Sequence, residues 1–321
     1  MGVLTRSADR AGESVAPTGS ADRYFRLLVT GCALLVLLLL AGMLIRTTWA
    51  AWPAFSRYGV SFITGTKWQP ASGQFGALPL IYGTLITSVI ALVIAVPVSV
   101  LIALYLSEVA PPRLATSLTY VVDLLAAVPS VVYGLWGVLV LVPFLTNHIY
   151  QPLSTHLSWL PLFSDFTSGR DYLTAGLILA LMITPIISAV SREIFKTVPD
   201  EEREAALAVG ATQWEMIRMA VLPRSRSGVI AAVMLGFGRA VGETIAVAYL
   251  IGGFPSITDH LLQQGSTIAA TIALQFQEAV STPIWKSGLI ALGVVLFAMT
   301  LLINIGARLI IRRAERGANG S

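Results

Sequence analysis

Long apolar runs separated by short polar segments make up most of the chain. Six of these runs are long enough to cross a membrane as helices, and they cover residues 27–45, 78–106, 118–145, 172–191, 227–252 and 286–309. About 20 residues at ~1.5 Å per residue cross a hydrocarbon layer of ~30 Å. Pro97, Pro129 and Pro185 lie inside three of the runs, where a membrane helix tolerates proline as a kink. The pattern predicts an all-α membrane protein with six transmembrane helices.

The basic residues predict the orientation of the chain in the membrane, and the segments between the runs predict its domain organisation. Most of the 21 Lys and Arg residues fall in segments that face the cytoplasm if the N-terminus lies inside, and positive residues accumulate on that side. Both termini are therefore predicted to be cytoplasmic. The predicted organisation is a disordered tail over 1–22, a first transmembrane helix and outer loop over 23–74, a helical core over 75–312 and a tail over 313–321. The spacing from Ser266 to Val280 predicts a further helix with a serine cap, either on the outer side or partly inserted in the membrane.

The composition excludes a soluble protein and gives no support to an enzyme. Hydrophobic residues make up 55% of the chain and charged residues 12%, with a mean hydropathy of +0.77, whereas soluble domains carry about 25% charged residues. The pI near 9.4 is explained by cytoplasmic positive charge rather than by nucleic acid as a partner. No phosphate-binding G-x-x-x-x-G-K-[ST] segment, metal-ligand cluster or nucleophile–base set occurs in the sequence. We therefore predict no bound metal or cofactor and no catalytic residue.

Two charged residues, Arg239 and Glu243, interrupt the apolar run over 227–252. A charge at mid-membrane costs about 2.5–3.5 kcal/mol on insertion scales, so intramembrane ions usually have a function. Residues four apart share one helix face, and the order Arg before Glu is the less favourable one for an ion pair within a helix. The pair is either part of a solute pathway or a helix-packing device, and the unfavourable order favours the pathway.

Smaller features accompany this pair. Gly238 and Gly242 form a small-xxx-small pair, which allows another helix to approach closely. Glu108, at the end of the second run, is predicted to lie at the membrane interface.

The segment from Arg192 to Arg226 is the longest cytoplasmic stretch between runs. Pro199 and the three acidic residues after it predict a helix start, and Gly210 predicts its end. A second short helix over about 212–221 is expected to present Trp214, Ile217 and Val221 before Pro223 ends it. Two short helices joined by a glycine predict a protruding knob, residues 200–223, that another protein can grip.

This knob resembles the EAA loop of permease subunits in bacterial ABC importers of the binding-protein-dependent type. The resemblance rests on Glu204-Ala205-Ala206, on Gly210 and on Leu222-Pro223; Ala220 replaces the Ile that usually precedes Leu-Pro. It implies that these six residues belong to a coupling helix that docks on an ATP-hydrolysing subunit. It also implies a type I (MetI-like) importer architecture.

Two further segments are similar to signatures of phosphate-importer permeases. They are Ala126-Ala127-Val128-Pro129-Ser130-Val131-Val132-Tyr133-Gly134 and Gly238-Arg239-Ala240-Val241-Gly242-Glu243-Thr244. Ile245-Ala246-Val247 follows the second segment without an Ala-Pro, which resembles the PstC type rather than its PstA partner. The resemblance covers about 75–312. It implies a multi-pass protein of the bacterial inner membrane whose partners are a PstA-type permease, two ATP-binding subunits, an extracytoplasmic phosphate-binding protein and phosphate.

These observations together predict the channel-forming subunit of an ATP-driven phosphate importer, in which the partner subunits hydrolyse ATP. Arg suits an oxyanion because it stays charged and offers a planar fork of donors. The hypothesis is that Arg239 lines the pathway and Glu243 holds it when substrate is absent. The alternatives are a permease for another oxyanion such as molybdate or sulfate, a secondary transporter that uses the Arg239–Glu243 pair, and a membrane scaffold for signalling.

Overall fold

The computed structural model describes residues 20–152 and 168–318. The chain divides into two units, with the boundary between Trp49 and Ala50. Residues 1–19 of the predicted N-terminal tail and residues 319–321 of the predicted C-terminal tail lie outside the described residues.

Helices make up nearly all of the described chain, and six of them are long and apolar enough to cross a membrane. The helices are α1 (Ser20–Tyr58), α2 (Leu78–Val109), α3 (Pro112–Ala127), α4 (Ser130–Tyr150), α5 (Tyr172–Lys196), α6 (Asp200–Ala208), α7 (Gln213–Gly242), α8 (Ile245–Leu250), α9 (Ile268–Ala279) and α10 (Pro283–Ala318). The six predicted spans correspond to α1, α2, α4, α5, α7 and α10.

The first unit contains the start of α1, whose apolar side chains from Leu34 to Ile45 are exposed. The second unit adds a helical turn, Ser61–Thr64, and two short antiparallel strands, β1 (Trp68–Gln69) and β2 (Gln74–Phe75). Buried aromatic residues of the strands pack on α2, α9 and α10. The helix predicted over Ser266 to Val280 is present as α9, but its cap is the hydroxyl of Thr267, which accepts from the Ala270 N–H at 3.2 Å.

The third predicted span, over 118–145, is wrong in its bounds. Residues 112–127 form the separate helix α3, and the spanning helix α4 begins at Ser130. Val128 and Pro129 between them are extended, because the proline ring disfavours helical geometry at the residue before it. Pro97 and Pro185 behave as predicted and lie inside continuous helices.

The core of the second unit is built by α5, which packs between α2 and α7. Buried small residues allow the helices to approach closely: a Cβ on Gly176 would lie 2.5 Å from Ile90 Cγ2 on α2. A cross-helix bond also joins them, since the Ser99 hydroxyl donates to the Thr184 carbonyl at 3.0 Å. The helix α5 is therefore the fixed element against which α7 is positioned.

A buried carboxylate caps the start of α5. Asp171 is fully buried, and its Oδ1 accepts from the Thr174 N–H at 2.7 Å. Burial raises the pKa of Asp171 from 3.8 to about 6, although bonds from the Thr174 N–H and hydroxyl act in the opposite direction.

Candidate functional site

The helix α7 has a buried face and an exposed face. Ala232, Gly236 and Ala240 are buried at intervals of four residues. Leu235 and Arg239 lie on the opposite side and are exposed. The helix therefore turns Arg239 away from the core of its own chain.

The glycines of α7 divide between these two faces. A Cβ on Gly236 would lie 2.6 Å from the side chain of Ile187 on α5, so this glycine permits close packing. A Cβ on Gly238 or Gly242 would meet no described atom within 4 Å. The predicted packing pair thus has no partner helix among the described residues, and Gly238 lines the same open surface as Arg239.

The helix breaks immediately after Gly242, which corrects the prediction of one helix over 227–252. Glu243 is extended, with φ −69° and ψ 129°, and a new helix, α8, begins at Ile245. Arg239 and Glu243 therefore do not share a face of one continuous helix. Backbone that leaves helical geometry at membrane depth is tolerated only where it is buried in protein or lines a wet cavity.

The ion pair expected between Arg239 and Glu243 is not formed. No carboxylate among the residues that the structure describes lies within salt-bridge distance of the Arg239 guanidinium. The extended backbone at Glu243 explains this, because it removes the helical register that would stack the two side chains.

Arg239 instead opens into a groove of about 560 Å³ between α7 and α10. From α7 the groove is lined by Ala231, Met234, Leu235, Gly238 and Arg239, from α10 by Asn304, Ala307 and Arg308, and from α5 by Ile186. Its charged lining residues, Arg239 and Arg308, are both positive, and Asn304 adds an amide. The groove has the charge and the hydrogen-bond donors for an anion.

On the other side of the helix break, the first signature segment meets α8, the helix that follows the second segment. A Cβ on Gly134, in α4, would lie 2.8 Å from the Cα of Ala246 and 3.0 Å from the Tyr249 ring. Glycine at this position therefore lets α8 pack directly on the α4 backbone, and this contact holds the chain that follows Glu243.

The knob predicted at residues 200–223 is present, with α6 as its outer helix. Glu204 and Ala205 are exposed, Ala206 is half-buried, and the large apolar side chains of Val209 and Trp214 are 83% and 59% exposed. An exposed apolar patch beside carboxylates is typical of a protein-binding surface.

Gly210 ends α6 as predicted, and its backbone shows why glycine is needed. Its φ is +90°, in the region that side chains with a Cβ disfavour. The Gly210 N–H donates to the Leu207 carbonyl at 2.9 Å, and the Ala211 N–H donates to the Ala206 carbonyl at 3.3 Å. This pair of bonds is a Schellman cap.

The second half of the knob differs from the prediction in two respects. Pro223 does not end a helix but lies in the first turn of the regular part of α7. A π-helical turn, Ile217–Val221, precedes it, and the Leu222 N–H donates to the Ile217 carbonyl, so the missing proline N–H is accommodated. Ile217 and Val221 are buried rather than presented, and with half-buried Leu222 they form the base of the knob.

The contact of Glu108 with the knob was not predicted from the sequence. The carboxylate was expected at the interface, but its side chain is only 4% exposed and is paired with Arg203 of the knob. The two residues are 95 positions apart, so no local spacing connects them. Among the described residues, no group of three His, Cys, Asp or Glu side chains could hold a metal ion.

Known proteins resemble the chain in sequence over most of its length. The family model described as "Binding-protein-dependent transport system inner membrane component" matches residues 95–316. A phosphate transport system permease protein PstC of Xylella fastidiosa is 44% identical over 300 residues, which cover 92% of each chain. PstC of Haemophilus influenzae is 42% identical over 88% of this chain and 91% of its own. PstC 1 of Mycobacterium tuberculosis is 42% identical, with coverages of 83% and 81%.

Solved ABC transporters share the fold. A chain of a bacterial alginate ABC transporter, solved with an alginate pentasaccharide-bound periplasmic protein, superposes with a TM-score of 0.60 at 19% identity, covering 91% of this chain and 96% of its own. An inward-facing MetNI methionine ABC transporter gives a TM-score of 0.52 at 18% identity, covering 74% and 94%. The predicted all-α architecture with six spans and an ABC-importer permease fold is confirmed.

Proposed function

The chain belongs to the binding-protein-dependent transport system inner membrane component family, and we propose that it is the channel-forming subunit of an ATP-driven phosphate importer. The observation that carries the proposal is the groove beside α7, in which both charged lining residues are arginines. The names of the relatives support phosphate as the substrate. The partners are a second, PstA-type permease, two ATP-binding subunits that hydrolyse ATP, and an external phosphate-binding protein.

An anion needs such a groove to cross the membrane. Phosphate loses hydration in a narrow pathway, and a positive group with several donors replaces part of that hydration. Arg239 has no described carboxylate partner, so its donors are available. In lipid this exposed guanidinium would be costly, and we place the groove at the contact with the partner permease, where water and substrate can enter.

Glu243 is proposed to hold Arg239 when the pathway contains no substrate. In the hypothesised exchange, Arg239 binds Glu243 when substrate is absent and binds phosphate during transport. This exchange requires the extended backbone at Glu243 to change conformation. The break in the helix supplies a place where alternating access can alter the distance between the two charges.

Transport by the assembled complex tests the function. The chain, its partner permease, the ATP-binding subunits and the binding protein are reconstituted in vesicles, and uptake of phosphate, sulfate and molybdate is measured with and without ATP. We expect ATP-dependent uptake of phosphate that the other two oxyanions do not inhibit. Uptake driven by an ion gradient without ATP would instead identify a secondary transporter, and preferred molybdate or sulfate uptake would identify the other oxyanion permeases.

Thiol labelling tests the groove itself. Cys32 is the single cysteine of the chain, so a Cys32→Ala background carries Leu235→Cys in the groove or, as a control, Val60→Cys on an exposed turn outside it. We expect phosphate and ATP to slow the labelling of the groove thiol by a charged reagent and to leave the control unchanged. Equal labelling rates with and without phosphate would exclude the groove as the pathway.

The knob couples the permease to the ATP-binding subunit in this proposal. Its exposed patch of Val209 and Trp214 beside Glu204 offers apolar area and a charge for docking. Glu204→Lys is expected to abolish co-purification of the ATP-binding subunit. Glu201→Lys, an equally exposed position in the first turn of α6, serves as the control; equal loss with both variants would argue against a specific role for Glu204.

A further inference from the structure

The knob is held to the end of α2 by a buried ion pair. The Arg203 Nε donates to Glu108 Oε2 at 3.2 Å, and its Nη2 donates to Glu108 Oε1 at 3.1 Å, so the two side chains meet as a planar fork. The Glu108 side chain is 4% exposed and that of Arg203 16%.

Arg203 also joins this carboxylate to the end of α5. Its Nη2 donates to the Phe195 carbonyl at 2.8 Å, its Nη1 donates to the Val198 carbonyl, and Nη1 also reaches the Asp200 Oδ1 at 2.9 Å. One side chain of α6 therefore contacts the ends of two core helices.

A hydrogen bond from the other half of the knob also reaches Glu108. The Gln213 amide nitrogen, at the start of α7, donates to the Glu108 carbonyl at 2.6 Å. Beneath these polar contacts lies an apolar base formed by Ala103, Leu104, Phe195, Val198, Met216, Ile217 and Val221. The ends of α2 and α5 and the start of α7 thus converge on the Glu108–Arg203 pair.

We propose that Glu108 and Arg203 form a transmission clamp, which makes the knob and the adjoining ends of α2 and α5 move as one body. A buried pair adds little net stability compared with an apolar pair of similar volume, but it fixes geometry through directional bonds. Force on the knob then moves α2 and α5 without being absorbed by bending of the short connection at residues 197–199. The inference rests on the proposed function, because the force comes from the ATP-binding subunit.

Loss of the clamp is expected to uncouple hydrolysis from transport. In the full complex in vesicles, Glu108→Gln should retain ATP hydrolysis while the substrate taken up per ATP falls by about tenfold. Arg203→Lys, which keeps the charge but loses the fork, should give an intermediate ratio. Arg224→Gln is the matched control, since its pair with Glu202 is longer, at 3.8 Å, and exposed; it should keep the wild-type ratio.

A distance measurement tests the clamp independently of transport. Spin labels are attached at Leu101→Cys on α2 and Glu201→Cys on α6, both exposed, in Cys32→Ala complexes. We expect a narrow distance distribution that Glu108→Gln broadens and Arg224→Gln does not. An unchanged distribution together with an unchanged uptake per ATP would overturn the clamp. A wild-type complex that neither hydrolyses ATP nor transports an oxyanion would instead overturn the proposed function, while the spin-label result would still decide on the clamp.

Discussion

Gly134→Ala is expected to disturb the contact between the first signature segment and α8. The added Cβ would lie 2.8 Å from the Ala246 Cα and 3.0 Å from the Tyr249 ring. The Cα belongs to the backbone of α8 and cannot rotate away, so α8 must shift. Since α8 begins two residues after Glu243, the shift would reach the helix break.

The expected loss of unfolding free energy follows from a comparison of Gly134→Ala with Gly238→Ala. Forcing a methyl group into a packed site costs about 1–3 kcal/mol. Replacing glycine by alanine inside a helix stabilises the helix by about 1 kcal/mol, and this gain applies to both variants. A Cβ on Gly238 meets no described atom within 4 Å, so only Gly134→Ala carries the cost. The two variants should therefore differ in unfolding free energy by about 1–3 kcal/mol.

Denaturant titration of the purified chain in detergent measures this difference, and phosphate uptake by the assembled complex measures its consequence. We expect Gly134→Ala to unfold at lower denaturant than Gly238→Ala and to take up less phosphate than wild type. Equal unfolding midpoints for the two alanine variants would refute the close packing of α8 on α4.

Two further predictions concern the knob and the outer end of α5. Gly210→Ala should destabilise the cap of α6 by about 1–2 kcal/mol, because an L residue at φ +90° is strained. Asn tolerates positive φ better than Ala does. The Ala variant should therefore retain less ATP-binding subunit on co-purification than Gly210→Asn. Asp171 has a folded-state pKa of about 6, raised by burial from 3.8, so wild-type stability should fall as the pH rises from about 4 to about 6 and then level off. Asp171→Asn keeps a capping oxygen for Thr174 and should be more stable than wild type at pH 7.5 by about 3 kcal/mol. The difference in stability between Asp171→Asn and wild type should disappear near pH 4. A difference in thermal unfolding that stays the same at every pH would contradict the burial of the Asp171 charge.

The fold was largely predictable because its dominant signal is local. Runs of apolar residues report spanning helices whatever their neighbours are, and Gly210 ends α6 through its own backbone freedom. The breaks were harder to predict. Pro129 separates two helices whereas Pro97 and Pro185 do not, and a proline in an apolar run gives no local indication of which outcome packing will favour.

The site was predictable by residue type but not by geometry. Arg239 stands out as a charge in an apolar run, and it does line a groove. The extended backbone at Glu243 was not foreseen, because a membrane helix tolerates an internal glycine such as Gly242 and the packing of Gly134 on α8 holds the break from another part of the chain. Arg308 and Glu108 were missed for the same reason, since Arg239 across the groove and Arg203 in the ion pair are distant from them in sequence.

Phosphate uptake by complexes carrying Arg239→Gln shows whether the transported anion passes Arg239. Arg239→Gln and Arg239→Lys are compared with wild type in vesicles that contain equal amounts of assembled complex and that hydrolyse ATP. We expect that the Gln variant, which keeps a polar side chain but has no charge, loses phosphate uptake, and that the Lys variant retains a part of it. Wild-type phosphate uptake by the Gln variant would contradict the claim that the anion passes Arg239.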